Sequence, residues 1–218
     1  MITVEINGEE RQYPQGATYE DVANDYQKEY DNLIALAARD GKIRELFKKL
    51  TRDCEITFFT LKDDVGNKTY VRSATMLFLK AVFDVFGRET VQNCRVEFAI
   101  GNGSYISPKG KINATEENAA KIRNRMRELV EAKTPFLKKS YSLDNAMELF
   151  RREGMKDKEK LFRYRRGSFV NIYEMDGYYD YYYGYMLPNA GYVKWFDVIA
   201  YEDGFMLLLP DKKNPTHV

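Results

Sequence analysis

The chain has 218 residues, 44% of them hydrophobic and 31% charged, with a formal net charge of +1. That is enough apolar material for one large or two small domains, and the balance of charge excludes nucleic-acid binding through net charge alone, leaving only a local patch. No apolar run approaches the roughly 20 residues that span a bilayer, and Met1-Ile-Thr-Val-Glu-Ile6 lacks a basic and apolar leader, so the expectation is a cytoplasmic chain without a membrane partner. The single histidine, His217, sits in a polar tail. The body of the chain therefore has no Ser-His-Asp triad, no Cys-His dyad and no His-bearing zinc site. Cys54 and Cys94 stand alone in strand-like surroundings and read as buried reduced thiols. No Asp/Glu cluster suggests a magnesium site.

Ile2 to Ile6 alternates as a strand, and Asn7-Gly8 signals a hairpin into Arg11-Gln-Tyr13. Thr18 followed by Asp21 predicts a capped helix from Tyr19 to Tyr30. Leu33 to Ala37 reads as a buried strand, Asp40-Gly41 as a turn, Ile43 to Phe47 as a strand or turn, and Cys54 to Phe59 as a strand. Asp63 to Asn67 reads as a polar linker. Ser73 then caps a helix that Gly87 ends. Val96 to Ile100 and Ser104 to Ile106 are strands joined by Gly101-Asn-Gly103. Helices follow from Thr115 to about Ala132 and from Ser142 to Gly154, with a short one at Asp157 to Leu161. Phe169 to Leu209 reads mostly as strands with tight turns.

Tyr13-Pro14, Gly16, Thr18 to Ala23 and Gly41 to Leu46 resemble a TGS domain, the small β-grasp module at the N-terminus of threonyl-tRNA synthetases and some GTPases. The remainder resembles the editing domain that follows it in those synthetases. Arg72-Ser-Ala-Thr-Met76-Leu77 lies where that family has His-Ser-x-x-His-Leu. Asp180-Tyr-Tyr182-Tyr-Gly184-Tyr-Met186-Leu-Pro188 lies where it has Asp-Leu-Cys-Arg-Gly-Pro-His-x-Pro. The resemblance implies an α+β fold of two units, a TGS-like β-grasp domain at 1–62 and an editing-domain-like unit at 67–210, with 211–218 as linker or tail. It also implies that Arg72, Met76, Tyr182 and Met186 replace His, His, Cys and His. Such side chains supply neither a good base nor a metal ligand, so no catalytic residue and no editing activity is carried over.

The same two units also resemble the N-terminal half of bacterial uridine kinase-like, or phosphoribulokinase/uridine kinase-like, nucleoside kinases. Tyr164-Arg-Arg-Gly167, Asn171-Ile-Tyr173 and Gly204-Phe-Met-Leu207 carry that likeness. There a P-loop domain follows, and this sequence holds no Gly-x-x-x-x-Gly-Lys-Ser/Thr. The resemblance implies a non-catalytic regulatory or ligand-binding region, partnered by a C-terminal kinase domain that uses ATP and magnesium, with no cofactor in this chain itself. The alternative is an RNA- or tRNA-binding module with editing lost.

Arg72, Ser73, Met76, Asp180, Tyr182 and Met186 are the expected lining of a relic pocket suited to a nucleoside or nucleotide. Arg72 with Ser73 reads either as an anion site at a helix N-terminus or as a surface cation. Asp180 is the expected partner of Arg72. Met76 and Met186 read as pocket walls or as core filler that closes the pocket. Six tyrosines between Tyr178 and Tyr185 would alternate across a strand, either stacking bases or packing between helices. Residues 151–166 carry eight Lys/Arg against three Asp/Glu, which suits weak RNA contact, an acidic partner domain or a solvated face. With the four ligand-type residues replaced, elemental analysis of the purified chain is expected to find no stoichiometric zinc. One zinc per chain, lost in Cys54→Ser or Cys94→Ser, overturns that expectation.

Overall fold

Alternation of Ile2, Val4 and Ile6 toward the interior makes the first strand one-sided, and this face seeds the N-terminal core. The computed structural model describes residues 1–164 and 167–218. Strand β1 (Ile2–Ile6) pairs antiparallel with β2 (Glu9–Tyr13) across Asn7-Gly8, both at positive φ. Helix α1 (Tyr19–Tyr26) starts at a capping box in which Thr18 and Asp21 each accept from the other's backbone N–H. The helix ends earlier than the sequence suggests. Gln27 turns its side chain onto the Asn32 carbonyl and accepts from the Ile34 N–H, which closes a 3-10 turn over Gln27–Glu29. Strands β3 (Ile34–Arg39), β4 (Lys42–Glu45) and β5 (Cys54–Thr60) complete a five-stranded sheet. Its order is β2-β1-β5-β3-β4, with β1 and β5 parallel and the other pairs antiparallel. Tyr19, Val22, Ala23 and Tyr26 of α1 bury against one face of it.

The expected linker at 63–67 is instead the first turn of a long helix, α2 (Asp64–Phe86). Asp63 accepts from the Thr60 N–H and hydroxyl, so the chain leaves β5 through a closed turn and enters the helix without slack. Polar residues there signal a solvated helix start rather than a loop. A Cβ on Gly66 would collide with the Thr60 carbonyl oxygen. Ser73 is accordingly no N-cap. It lies nine residues into the helix, buried, with its hydroxyl donating to the Thr69 carbonyl. Gly87, at φ 85°, ends α2 as expected, and α3 (Arg88–Asn93) follows at once.

Strands β6 (Arg95–Ile100) and β7 (Gly103–Ser107) join β11 (Asp197–Tyr201) and β12 (Gly204–Leu208) in a four-stranded antiparallel sheet, order β11-β12-β7-β6. Helix α4 (Glu116–Glu131), capped by Thr115, packs Ala119, Ile122, Met126 and Leu129 inward beside α2. Strands β8 (Leu137–Ser142), β9 (Phe169–Met175) and β10 (Tyr178–Asp180) form a three-stranded antiparallel sheet, order β10-β9-β8. Helices α5 (Leu143–Arg152) and α6 (Lys156–Arg163) cover it, with Phe150 and Phe162 stacked at 5.3 Å. The architecture is α+β with three sheets.

The tyrosine run is not one strand. β10 stops at Asp180, and residues 181–189 are irregular, so the expected two-faced alternation ends there. Gly184, whose φ of 133° belongs to no strand ladder, lies within that irregular stretch. Because the first turn of α2 lies against β5, Gly66→Ala is expected to destabilise the chain by about 1–3 kcal/mol through overpacking, read as a lowered denaturant midpoint. An unchanged midpoint would mean that the junction yields.

Candidate functional site

Thr69, Ser73 and Met76 recur at helical spacing and put one buried face of α2 against the segment Tyr185 to Pro188. Ser73 ties the two together. Its oxygen accepts from the Leu187 N–H at 3.0 Å and lies 3.9 Å from the Met186 sulfur. One residue earlier, Arg72 reaches the same segment and donates from Nε to the Tyr185 carbonyl at 3.2 Å. A Cβ on Gly184 would come within 2.7 Å of the Arg72 guanidinium, and the φ of 133° there is one that L side chains rarely adopt. Burial pulls the Arg72 pKa below its usual value, partly offset by Tyr173, Glu45 and Tyr185. The two segments singled out in the sequence do meet.

They meet as a packed core. Met76 and Met186 are both fully buried. Ser73 spends its hydroxyl on backbone groups, and the Arg72 side chain lies in mid-helix, away from any helix N-terminus. The expected anion site at a helix start is therefore absent from this position, because α2 begins at Asp64. Asp180 does not pair with Arg72 either. Its carboxylate takes Lys158 at 2.7 Å and accepts from the Tyr181 N–H and the Tyr178 hydroxyl. Tyr182 points its hydroxyl into the interior, where it meets no hydrogen-bond partner among the described residues. Burial, then the neighbouring Asp180 carboxylate, pushes its pKa well up. Asp180 and Tyr182 wall a cavity of about 220 Å³ together with Thr75, Cys94 and Lys158. Arg72, Ser73, Met76 and Met186 do not line it. Burial pushes the Cys94 thiol up to about 12, which keeps it protonated and a poor metal ligand at neutral pH. Among the described residues no group of three His, Cys, Asp or Glu side chains converges.

The basic stretch is largely spoken for. Glu159 takes both Arg151 and Arg163, Glu153 takes Arg152, and Asp180 takes Lys158. Arg165 and Arg166 lie outside the described residues.

Two features went unread in the sequence. Glu45, at the end of β4, is 2% exposed, and its carboxylate accepts from the Tyr173 hydroxyl, from the Met186 N–H at 3.2 Å and from Lys138 at 2.9 Å. Burial and the Glu45 charge push the Tyr173 phenol far above its ordinary value. The second feature is a cleft of about 500 Å³ beside that carboxylate. Arg39, Arg44, Lys48 and Lys49 line it, and none of the four has a carboxylate partner among the described residues. A neighbouring groove of about 600 Å³ shares Lys48, Lys49 and Lys138 and adds Lys133 and Lys139. A count would have found this region: residues 39–52 hold six Lys/Arg against two Asp/Glu. Glu45 gave no such signal, since its partners stand 93 to 141 residues away.

No family model matches the sequence. The chain is similar to threonine–tRNA ligases. It is 28% identical to that of Thermotoga maritima over 213 residues, which is 96% of this chain and 32% of the relative. It is 28% identical to that of Maricaulis maris over 193 residues, 88% of this chain and 30% of the relative. For Porphyromonas gingivalis the figure is 23% over 194 residues, 86% and 29%. The chain thus spans about a third of the length of these curated relatives. The synthetase likeness read from the sequence holds along nearly the whole chain, and none of these three relatives is a kinase.

Removing the Glu45 carboxylate leaves a half-buried Lys138 and two donors without a partner. Glu45→Ala is expected to cost about 3–5 kcal/mol, the usual range for breaking a buried ion pair, measured by chemical denaturation. A loss below about 1 kcal/mol would show that the carboxylate is not structurally required.

Proposed function

We propose that this chain is an RNA-binding module related to the editing region of threonyl-tRNA synthetases, with tRNA as the preferred RNA and with no editing chemistry of its own. The observation that carries the reading is the row of uncompensated cations. Lys48, Lys49 and Lys133 line the open groove, Arg39 and Arg44 line the cleft beside it, and none has a carboxylate partner among the described residues. Clustered cations without counter-charges are the footprint of a phosphate backbone, and a nearly neutral chain can carry one on a single face. The similarity to threonine–tRNA ligases supports this ligand class. The loss of hydrolysis follows from Arg72, Met76, Tyr182 and Met186. Two are sealed in the core and one is bound to a backbone carbonyl, so these side chains offer no free base and no positioned water.

The domain reading belongs to the same proposal. Residues 1–62 form a TGS-like β-grasp unit, supported by the sheet order β2-β1-β5-β3-β4 with α1 across one face. Residues 67–210 form the editing-like unit, whose first helix begins a few residues earlier, and 211–218 form a tail that Lys212 pins to Asp64. In this reading the relic pocket is structural, and the cavity beside Asp180 is too small for an aminoacyl-adenosine end. The uridine kinase parent, with its ATP and magnesium, takes second place because its support is the resemblance of short segments.

Binding of unmodified tRNA transcript, followed by fluorescence anisotropy, tests the proposal. Affinity should fall steeply with salt, by a log–log slope near −0.9 for each duplex phosphate contact. Lys48→Glu/Lys49→Glu should weaken binding at least tenfold and flatten that slope. Lys156→Glu/Lys160→Glu, in the basic stretch of α6, should change affinity less than twofold. No binding at tens of micromolar protein in low salt, or equal losses in the two double variants, would sink the reading.

A further inference from the structure

The inner cleft has a character that the outer groove lacks. Its floor is Tyr19, the first residue of α1, which is 1% exposed. The Tyr19 hydroxyl is fully buried and has no hydrogen-bond partner among the described residues. Burial raises its pKa, and the Arg39 and Arg44 guanidiniums beside it lower it, Arg39 through a side-chain contact as well as its charge. A buried hydroxyl left unpaired costs about 1–3 kcal/mol, so such groups ordinarily find a partner. Arg39 is held by the Thr51 hydroxyl at 2.9 Å, which fixes its fork toward the cleft wall. Lys48 and Lys49 stand exposed at the rim. On the far side Lys138 already answers Glu45, so the one carboxylate of the lining is compensated.

Four uncompensated cations around one unpaired hydroxyl need a ligand of several negative charges with closely spaced oxygens. The volume of about 500 Å³ lies within the range of small-molecule sites. Tyr185 and Asn171 on the wall offer a ring face and an amide for the remainder of such a ligand. We propose that this cleft is a binding site for a nucleoside polyphosphate, with Arg39, Arg44, Lys48 and Lys49 taking the phosphate chain and the Tyr19 hydroxyl donating to one of its oxygens. The inference shares its four cations with the RNA reading and differs from it in the Tyr19 hydroxyl, since Tyr19 lines the cleft and not the outer groove. The shared chemistry is adjacent phosphates, and an RNA strand is the other source of it.

The test uses the full chain with inorganic triphosphate, ATP and a 12-nucleotide single-stranded RNA with hydroxyl ends, titrated calorimetrically at 150 mM salt. Triphosphate and ATP are expected to bind at one site with a dissociation constant in the micromolar range, ATP more tightly. Tyr19→Phe deletes only the unpaired hydroxyl and should leave the thermal midpoint unchanged or raised while weakening triphosphate at least fivefold. Arg39→Ala/Arg44→Ala should abolish binding, and circular dichroism on the same sample shows whether the fold is retained. RNA affinity should be the same in Tyr19→Phe and the unaltered chain. No heat at millimolar triphosphate, or full affinity in Tyr19→Phe, overturns the proposal. So does an RNA affinity that falls in Tyr19→Phe while triphosphate fails to bind, since the cleft then serves an RNA chain. Weak RNA binding beside intact triphosphate binding would sink the RNA reading and leave this one standing.

Discussion

A single carboxylate holds the architecture to one geometry. Glu45 leaves the edge of the five-stranded sheet and ends among Tyr173 of β9, Lys138 of β8 and the Met186 backbone. Taking a carboxylate out of water is costly, and the cost is met only if every lone pair finds a donor. Here the donors come from three separate places in the chain, so the sheet edge, the β8–β9 pair and the 185–188 segment must all be in register before the charge is tolerated. Alternative dockings of the N-terminal sheet would strand it. That selectivity, more than any net gain in stability, is what a buried ion pair contributes.

A second contact, between α2 and the 185–188 segment, is made without the side chains that the synthetase resemblance expects. Where the synthetase resemblance expects imidazoles and a thiol facing a hydrated pocket, this chain places thioethers and a phenol. Met76 and Met186 fill space with flexible apolar side chains. Arg72 spans the gap toward the peptide carbonyl of Tyr185, with its guanidinium close over Gly184. The helix and the turn are joined by Arg72 and Ser73 through the backbone groups of Tyr185 and Leu187.

Much of the fold was legible because its signals are local. The Asn7-Gly8 hairpin, the Thr18 capping box, the Gly87 stop and the α4 stripe each sit within one element, and each is where the sequence puts it. The errors came where tertiary contacts override local pattern. Asp63 to Asn67 is polar like a linker, but it is capped and pressed against β5. The tyrosine run has strand composition, yet its pairing with β9 ends at Asp180 and Arg72 holds the Tyr185 carbonyl beyond it. At the site, the juxtaposition of the two motif segments was readable from resemblance. The partner of Asp180 was not, because Lys158 reaches it from a helix that sequence alone does not orient. Glu45 was invisible for the same reason.

The seamless passage from β5 into α2 bears on how independent the first sixty residues are. Ala35 and Leu36 of β3, and Leu61 just past β5, are buried in the larger cluster built around α2. A fragment ending at residue 62 would turn those side chains out to water, at a cost of about 1.5–3 kcal/mol for each large one. The first sixty residues thus keep a core of their own, around Ile2, Val4, Val22 and Phe58, and share a seam with the larger one. Melting should be a single cooperative event, and domain shuffling that cuts at this seam would have to carry a new cover for that face.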